Sequence, residues 1–412
     1  MKLKSSLLRN VLFWTGLGFF QGYLFWTYAS NPFGVASEDF FLNWQQDSQA
    51  LVENSLASNS MGSSNWGLVG RVQQLGSQGH FFYVIQVWLG WGSVELMALT
   101  AFLTASVVTL LVATIWRRGN PVFASVLGYV ALTSPWLIAS ARNLYWVPWT
   151  LFLPMALASL LFFFRSRWAK LALHGLLFLA FAFRFSTGYE FLTAVVLSAA
   201  AMPLIFKSNQ ALFDSGRRAL SKLFIPFSVM LNGALAFIAV LIIHSSVRGE
   251  GSIFAGLDEI WREDVLRRTY GDPGAFDPVY GPSLEASPVY VVARYVGFWK
   301  TPVTSVPIGD WINLGLPPGS LIWVIAALLF LSVFAYRKGF RFSFEQIWLL
   351  IISFSAPLSW FILAKSHSFI HTHINYLLWY PLPVTVLLFF LFIVIKSLLT
   401  NKSLIATRGA IS

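Results

Sequence analysis

Asp47 is the side chain most suited to act as a base in this chain, because it stands in a polar segment wedged between long apolar runs. That segment, Glu38 to Gly79, reads EDFFLNWQQDSQALVENSLASNSMGSSNWGLVGRVQQLGSQG. With Ser37 as N-cap and Glu38 to Ser58 wound as one helix at about 100° per residue, Phe40, Phe41, Trp44, Ser48, Leu51 and Ser55 form a stripe suited to an interface. Asp47 then falls about 20° from Phe40, and Glu53 falls on the opposite, water-facing side. Two readings stand for Asp47. It is an ordinary solvated helix carboxylate, or a carboxylate at the edge of an apolar stripe, where desolvation moves its pKa toward that of a general base.

Basic groups able to meet a phosphate recur at what is expected to be the same face. Arg142 closes the short loop Ser140 to Trp146, which also carries Tyr145. Arg184 ends an apolar run beside Glu190, and Lys365, His367, His371 and His373 cluster further on. An arginine at membrane depth is a functional-site hypothesis by default. For Arg142 and Lys365 the alternative is snorkelling to lipid headgroups, and for Arg184 with Glu190 it is a plain ion pair. His371 and His373, two residues apart, do not share a helix face, and no HExxH is present, so zinc is disfavoured. Arg262, Arg267 and Arg268 are expected to pair with Glu259, Glu263 and Asp264 along one helix. No P-loop, dinucleotide fingerprint or serine nucleophile elbow occurs, so no nucleotide cofactor is expected.

The elements that must hold these groups are membrane helices. The 412 residues are 57% hydrophobic and only 11% charged, with mean hydropathy +0.66, which excludes an ordinary soluble domain. Cysteine is absent, which removes disulfide and thiol chemistry. The net charge of +11 is spread as punctuation between apolar runs, not as a patch with interleaved aromatics, so nucleic acid is not a partner.

Read as apolar runs of roughly 20 residues, the chain has about ten spans. These are about Asn10–Tyr28, Val94–Trp116, Pro121–Ala139, a fourth ending at Phe164, Leu171–Phe183, a sixth ending near Phe206, Phe224–Ser245, Ser320–Tyr336, Glu345–Ala364 and Tyr376–Ile395. Lys2, Lys4 and Arg9 put the N-terminus in the cytoplasm, and Lys396, Lys402 and Arg408 put the C-terminus there too. The first run is read as an uncleaved anchor rather than a signal peptide. On this topology every Asp and Glu except Asp214 and Glu345 lies at the outer side, so function is expected there. The result is one all-α integral membrane domain over residues 1–412, with outer excursions at about 31–92 and 247–318. Interfacial helices are expected at Glu38–Ser58, His80–Leu89 and Leu257–Arg268, and Pro154, Pro357, Pro381 and Pro383 are expected to kink spans.

This pattern resembles the GT-C superfamily of polytopic glycosyltransferases, in which a first span leads to a large outer loop with interfacial helices and a catalytic carboxylate. Asp47-Ser48-Gln49-Ala50-Leu51 occupies that place, and Ser77-Gln78-Gly79, Arg142 to Trp146 and Thr187-Gly188-Tyr189-Glu190 resemble stretches of bacterial membrane proteins of this type. The resemblance implies transfer of a sugar, with inversion, from a polyprenyl-phosphate donor to a glycan, lipid or protein acceptor in cell-envelope polysaccharide chemistry. It implies a multi-pass protein of the plasma (inner) membrane with its active site on the extracytoplasmic side. Asp47 would be the acceptor's base, with Arg142, Arg184, Lys365, His371, His373, Glu190 and Tyr145 binding donor phosphate or substrate. The outer loop Ser140 to Trp146 lacks the second acidic residue many relatives carry, which leaves a divalent metal open. Two alternatives stand beside this reading: a membrane polysaccharide polymerase or ligase built on outer arginines and a histidine, and a non-enzymatic lipid or solute transporter. The ionisable residues gather at helix ends rather than along a central path, which disfavours the transporter.

Overall fold

A computed structural model of the chain describes residues 2–57, 73–205, 216–297, 301–309 and 311–400. Residues 58–72 of the Glu38 to Gly79 segment, together with Lys207, Asp214, Lys402 and Arg408, lie outside the described residues. Helix accounts for 78% of the structure, which establishes an all-α fold. Among the described residues the strands are one short antiparallel hairpin, β1 (Pro307–Ile308) with β2 (Ile312–Asn313), registered with Pro307 opposite Asn313.

In chain order the first part holds α1 (Lys2–Ser30), α2 (Glu38–Asn43), α3 (Gln46–Ala57), α4 (Ser77–Leu89), α5 (Ser93–Arg117), α6 (Pro121–Thr133), α7 (Pro135–Ser140), α8 (Trp149–Leu160), α9 (Arg167–Thr187) and α10 (Leu192–Ile205). The second part holds α11 (Gly216–Arg248), α12 (Ile253–Glu259), a π-helical segment (Ile260–Val265), α13 (Leu266–Arg268), α14 (Gly281–Glu285), α15 (Pro288–Gly297), α16 (Ser320–Arg337), α17 (Phe344–Leu363), α18 (Lys365–Ile370), α19 (Thr372–Asn375) and α20 (Pro383–Thr400). Among the described residues, six stretches are long and apolar enough to cross a membrane: α5, α9, Leu223–Arg248 of α11, α16, α17 and the run Thr372–Thr400. The other expected spans correspond to α1, to α6 with α7, to α8 and to α10; α6, α8 and α10 are apolar but shorter. Among the described residues, length and hydropathy therefore establish six candidate spans.

Local chemistry explains the departures. The third expected span divides because Ser134 caps α7, accepting from Leu137 N at 3.2 Å, and Pro135 occupies the first helical position, where its missing N–H costs nothing. Pro154 and Pro357 lie inside helices α8 and α17, whereas Pro383 begins α20 after the 3-10 turn Tyr376–Trp379. The capping box that opens α17 is reciprocal: Ser343 N donates to Gln346 Oε1 at 2.8 Å, and Gln346 N donates to Ser343 Oγ at 3.2 Å.

One correction bears on the site. The helix expected at Glu38–Ser58 is, as far as Ala57, two helices, because Trp44 is extended and Gln45 is left-handed at φ +56°. The break resets the phase. In α3 the buried face carries Val52, Ser55 and Leu56, and Gln49 Oε1 accepts from Leu144 N at 2.8 Å. Glu53 flanks that face, half-buried, and receives a hydrogen bond from Gln49 Nε2 at 3.1 Å. Asp47 lies about 140° around the helix from Val52 and is exposed. Placing Asp47 against the stripe and Glu53 in water required an unbroken helix.

The surface helix expected at Leu257–Arg268 starts earlier, at Ile253, and passes through the π-helical segment. Its return onto α11 depends on Gly256: a Cβ there would sit 1.9 Å from the Ser245 carbonyl oxygen, so only glycine permits the approach. The rest of this second excursion is fastened to α18. Lys365 Nζ donates to the carbonyls of Leu284 and Ala286, Ser283 Oγ and Ser366 Oγ are 2.7 Å apart, and Tyr295 OH donates to Ser368 O at 2.6 Å.

Candidate functional site

Where α9, α11 and α17 end, two cavities share a wall. One, of about 420 Å³, runs between α10, α11, α17 and the π-helical segment. Its lining is mostly apolar, with Leu192, Phe237, Leu241, Ile260, Trp360 and Leu363. The other, of about 310 Å³, is polar and is lined by Gln73, Glu190, Arg267, Arg268, Tyr280, His367, Ile370 and His371. Arg268 lines both. It marks the point where an apolar groove meets a cationic pocket.

Glu190 enters the polar pocket from the turn between α9 and α10. A Cβ on Gly188 would stand 2.2 Å from Glu190 Oε2 and 2.7 Å from Gln74 Oε1, so that turn accommodates the carboxylate by having no side chain two residues before it. Glu190 is 4% exposed, and its Oε1 lies 3.7 Å from Arg268 Nη1. Arg267 Nη1 donates to Tyr280 OH at 3.3 Å, and its Nη2 is 3.6 Å from Asp264. Asp264 and Glu259 in turn receive Arg248, the latter at 2.7 Å from Nε. Arg267 and Asp264 pair as expected, but Arg268 reaches across to Glu190, Arg248 takes Glu259, and Arg262 pairs with Asp258. His367 and His371 stand one helical turn apart with ring centroids 4.5 Å apart, and His367 packs edge-on to Trp360 at 5.7 Å.

Arg184 is 1% exposed and acts on this site through backbone. Its Nη1 donates to Trp146 O at 3.1 Å, and its Nη2 to Glu190 O at 3.0 Å, with Thr150 and Thr187 hydroxyls at 3.4 and 3.3 Å. Each carbonyl belongs to the residue just before a left-handed one, Val147 at φ +39° and Phe191 at φ +69°, both fully buried. A β-branched or bulky residue in that region is strained, by about 1–3 kcal/mol each. Arg184 thus pins two strained turns, one of which presents Glu190. Trp146 and Phe191 stack across them at 5.3 Å. The Glu190 carboxylate pairs with Arg268, not with Arg184.

The remaining sequence candidates fall elsewhere. Asp47 lines neither cavity. Arg142 lies 4.0 Å over the Phe41 ring and donates to Phe41 O at 3.2 Å; partial burial lowers its pKa. Tyr145 is buried, with its OH accepting from Gln74 Nε2 at 3.0 Å, beside the pocket wall at Gln73. Lys365 is buried on its two carbonyls, 5.1 Å from the Tyr270 ring, and burial lowers its pKa. His373 is exposed, with its ring 6.0 Å from that of His371.

Of the residues singled out in the sequence as candidates for the site, Glu190, His367 and His371 reach one pocket. Arg267 and Arg268 join them from a helix read as a self-paired surface element, and Tyr280 from the 3-10 turn Pro278–Tyr280. Three or more His, Cys, Asp or Glu side chains placed to hold one metal ion do not occur among the described residues. Chemically, the pocket lining offers two guanidiniums, two imidazoles and a phenol beside the Glu190 carboxylate, with Asp264 3.6 Å from Arg267, so an anion entering it meets donors already shared with carboxylates. The groove beside it accepts an apolar chain. No family model, curated protein or solved structure matches the chain.

Proposed function

We propose that this protein is a multi-pass membrane glycosyltransferase that takes a sugar from a polyprenyl-phosphate carrier at the extracytoplasmic face of the plasma membrane. The observation that carries this reading is the meeting of the apolar groove and the cationic pocket at Arg268. A polyprenyl chain is a long apolar tail ending in a phosphate, and the two cavities offer those two environments in contact. In the reaction an acceptor hydroxyl oxygen attacks the anomeric carbon, and the bond from that carbon to the phosphate oxygen breaks. The carrier phosphate leaves with the electron pair, and a carboxylate or imidazole takes the acceptor's proton. Arg267 and Arg268 would stabilise the charge that develops on the leaving phosphate. The orientation belongs to this reading too: about ten membrane-crossing segments, both termini in the cytoplasm and the two excursions outside.

A second form has its own support. A membrane polysaccharide polymerase or ligase uses arginines and a histidine without an early aspartate. The pocket holds Arg267, Arg268, His367 and His371, whereas Asp47 lies outside it. Purified protein in nanodiscs, supplied with a panel of polyprenyl-phosphate and polyprenyl-diphosphate sugars, tests both. Release of the carrier phosphate by the wild type supports a transferase. Loss of that release in Asp47→Asn favours the first form, and loss in Arg268→Gln and His371→Gln with Asp47→Asn active favours the second. No release from any donor, with no binding of the carrier, would count against both.

A further inference from the structure

Three half-buried arginines in and beside the polar pocket are held to different degrees. Arg248 is locked, with Nε 2.7 Å from Glu259 and a second, short contact to Asp264. Arg267 is shared between Asp264 at 3.6 Å and the Tyr280 hydroxyl at 3.3 Å. Arg268 has Glu190 at 3.7 Å, well beyond the roughly 2.7–2.9 Å of a charge-assisted hydrogen bond, and among the described residues no other carboxylate is within ion-pair distance of it. Both side chains are largely shielded from water, at 12% and 6% exposed, so the pair is little screened although it is not a tight hydrogen bond. Arg268 is also the residue common to the groove and the pocket. Asp264 also lines the groove but is held by Arg248 and Arg267, so at the junction an anion with its tail in the groove meets the Arg268 guanidinium, with the Glu190 carboxylate as a competitor of like charge.

Resting on the reading above, we infer that Arg268 exchanges Glu190 for the phosphate of the lipid carrier, so that Glu190 acts as a built-in competitor of carrier binding. In the empty site the carboxylate occupies the guanidinium. When a phosphate arrives, it takes Arg268 with two or more oxygens, and the carboxylate is left facing the pocket beside His367 and His371. The exchange limits the affinity for the carrier, which keeps the spent carrier from remaining bound.

The sign of one substitution separates this from a scaffold role. Binding of a polyprenyl phosphate, with the matching uncharged polyprenol as control, is measured for the full-length protein in detergent. Glu190→Gln removes the competing charge and is expected to tighten polyprenyl phosphate about tenfold, equivalent to about 1.4 kcal/mol, and to leave the polyprenol unchanged. Glu190→Asp, whose carboxylate falls short of Arg268, is expected to tighten it by less and serves if the glutamine variant does not fold. Arg268→Gln is expected to weaken the phosphate and to abolish the effect of Glu190→Gln in the double variant. Weaker binding in Glu190→Gln, or tightening that persists without Arg268, overturns the exchange while the transferase reading stands. A wild type that binds polyprenyl phosphate no better than polyprenol overturns both.

Discussion

Arg184→Lys is expected to destabilise the protein sharply although the charge is kept. The guanidinium spans Trp146 O at 3.1 Å and Glu190 O at 3.0 Å, two carbonyls in different turns, and a single ammonium on a flexible stem cannot reproduce that fork. One carbonyl is left without its donor in a fully buried place, at a cost of about 1–3 kcal/mol. The turns it releases hold Val147 and Phe191 in left-handed conformations, so part of their strain is relieved by moving the backbone instead of by local repair. That relief offsets part of the loss, so the net cost is about 1–3 kcal/mol, with the Glu190 turn displaced. Apparent melting temperature in nanodiscs, wild type against Arg184→Lys and Arg184→Gln, is the assay. The lysine variant should melt several degrees lower, and the glutamine variant lower still or not fold. A lysine variant that melts with the wild type refutes the view that Arg184 is a backbone clamp and restores it as a candidate phosphate ligand.

Three further outcomes follow from the geometry. Gly188→Ala brings a methyl to 2.2 Å from Glu190 Oε2; because that atom ends a flexible side chain, the fold should survive while the carboxylate is displaced from Arg268, and polyprenyl phosphate should bind a few-fold tighter. Unchanged binding in that variant would mean that this turn does not set the reach of Glu190 to Arg268. Gly256→Ala, by contrast, meets backbone at 1.9 Å from Ser245 O, so it should lower expression and melting temperature together, and wild-type melting would show that α12 does not pack on α11 as described. Asp47→Asn, on an exposed first-turn position of α3, should leave melting unchanged, and its carrier turnover decides whether this carboxylate or the pocket supplies the base.

The class of fold was legible because composition and apolar run length leave no other choice. The breaks were legible in principle, since Ser134-Pro135 is an N-cap followed by a first-turn proline, yet the uninterrupted hydropathy of Pro121–Ala139 hid it. The Glu38–Ser58 helix misled for a different reason. Nothing in Trp44-Gln45 marks a left-handed residue; the break is held by tertiary contact, with Trp44 buried against the Trp146 ring at 6.4 Å and its carbonyl accepting from Asn143. Phase cannot be carried across such a break. Glu190 and His371 were visible as polar residues ending apolar runs. Arg268 was not, because helical spacing supplies it with carboxylates on its own helix, whereas its partner comes from a turn 78 positions earlier. The two strained turns likewise depend on one buried side chain, Arg184, that spans both.

The central claim is that a polyprenyl phosphate lies with its chain in the groove between α10, α11 and α17 and its phosphate at Arg267 and Arg268. A photoactivatable polyprenyl phosphate, crosslinked to the protein in nanodiscs and mapped by mass spectrometry, tests it directly. Adducts at Leu192, Phe237, Leu241, Ile260, Trp360 or Leu363, lost on addition of unlabelled polyprenyl phosphate and weakened in Arg268→Gln, are the expected result. Adducts concentrated in a different apolar groove, of about 460 Å³ between α1, α5 and α6 and lined by Leu17, Phe20 and Gly128, would contradict it.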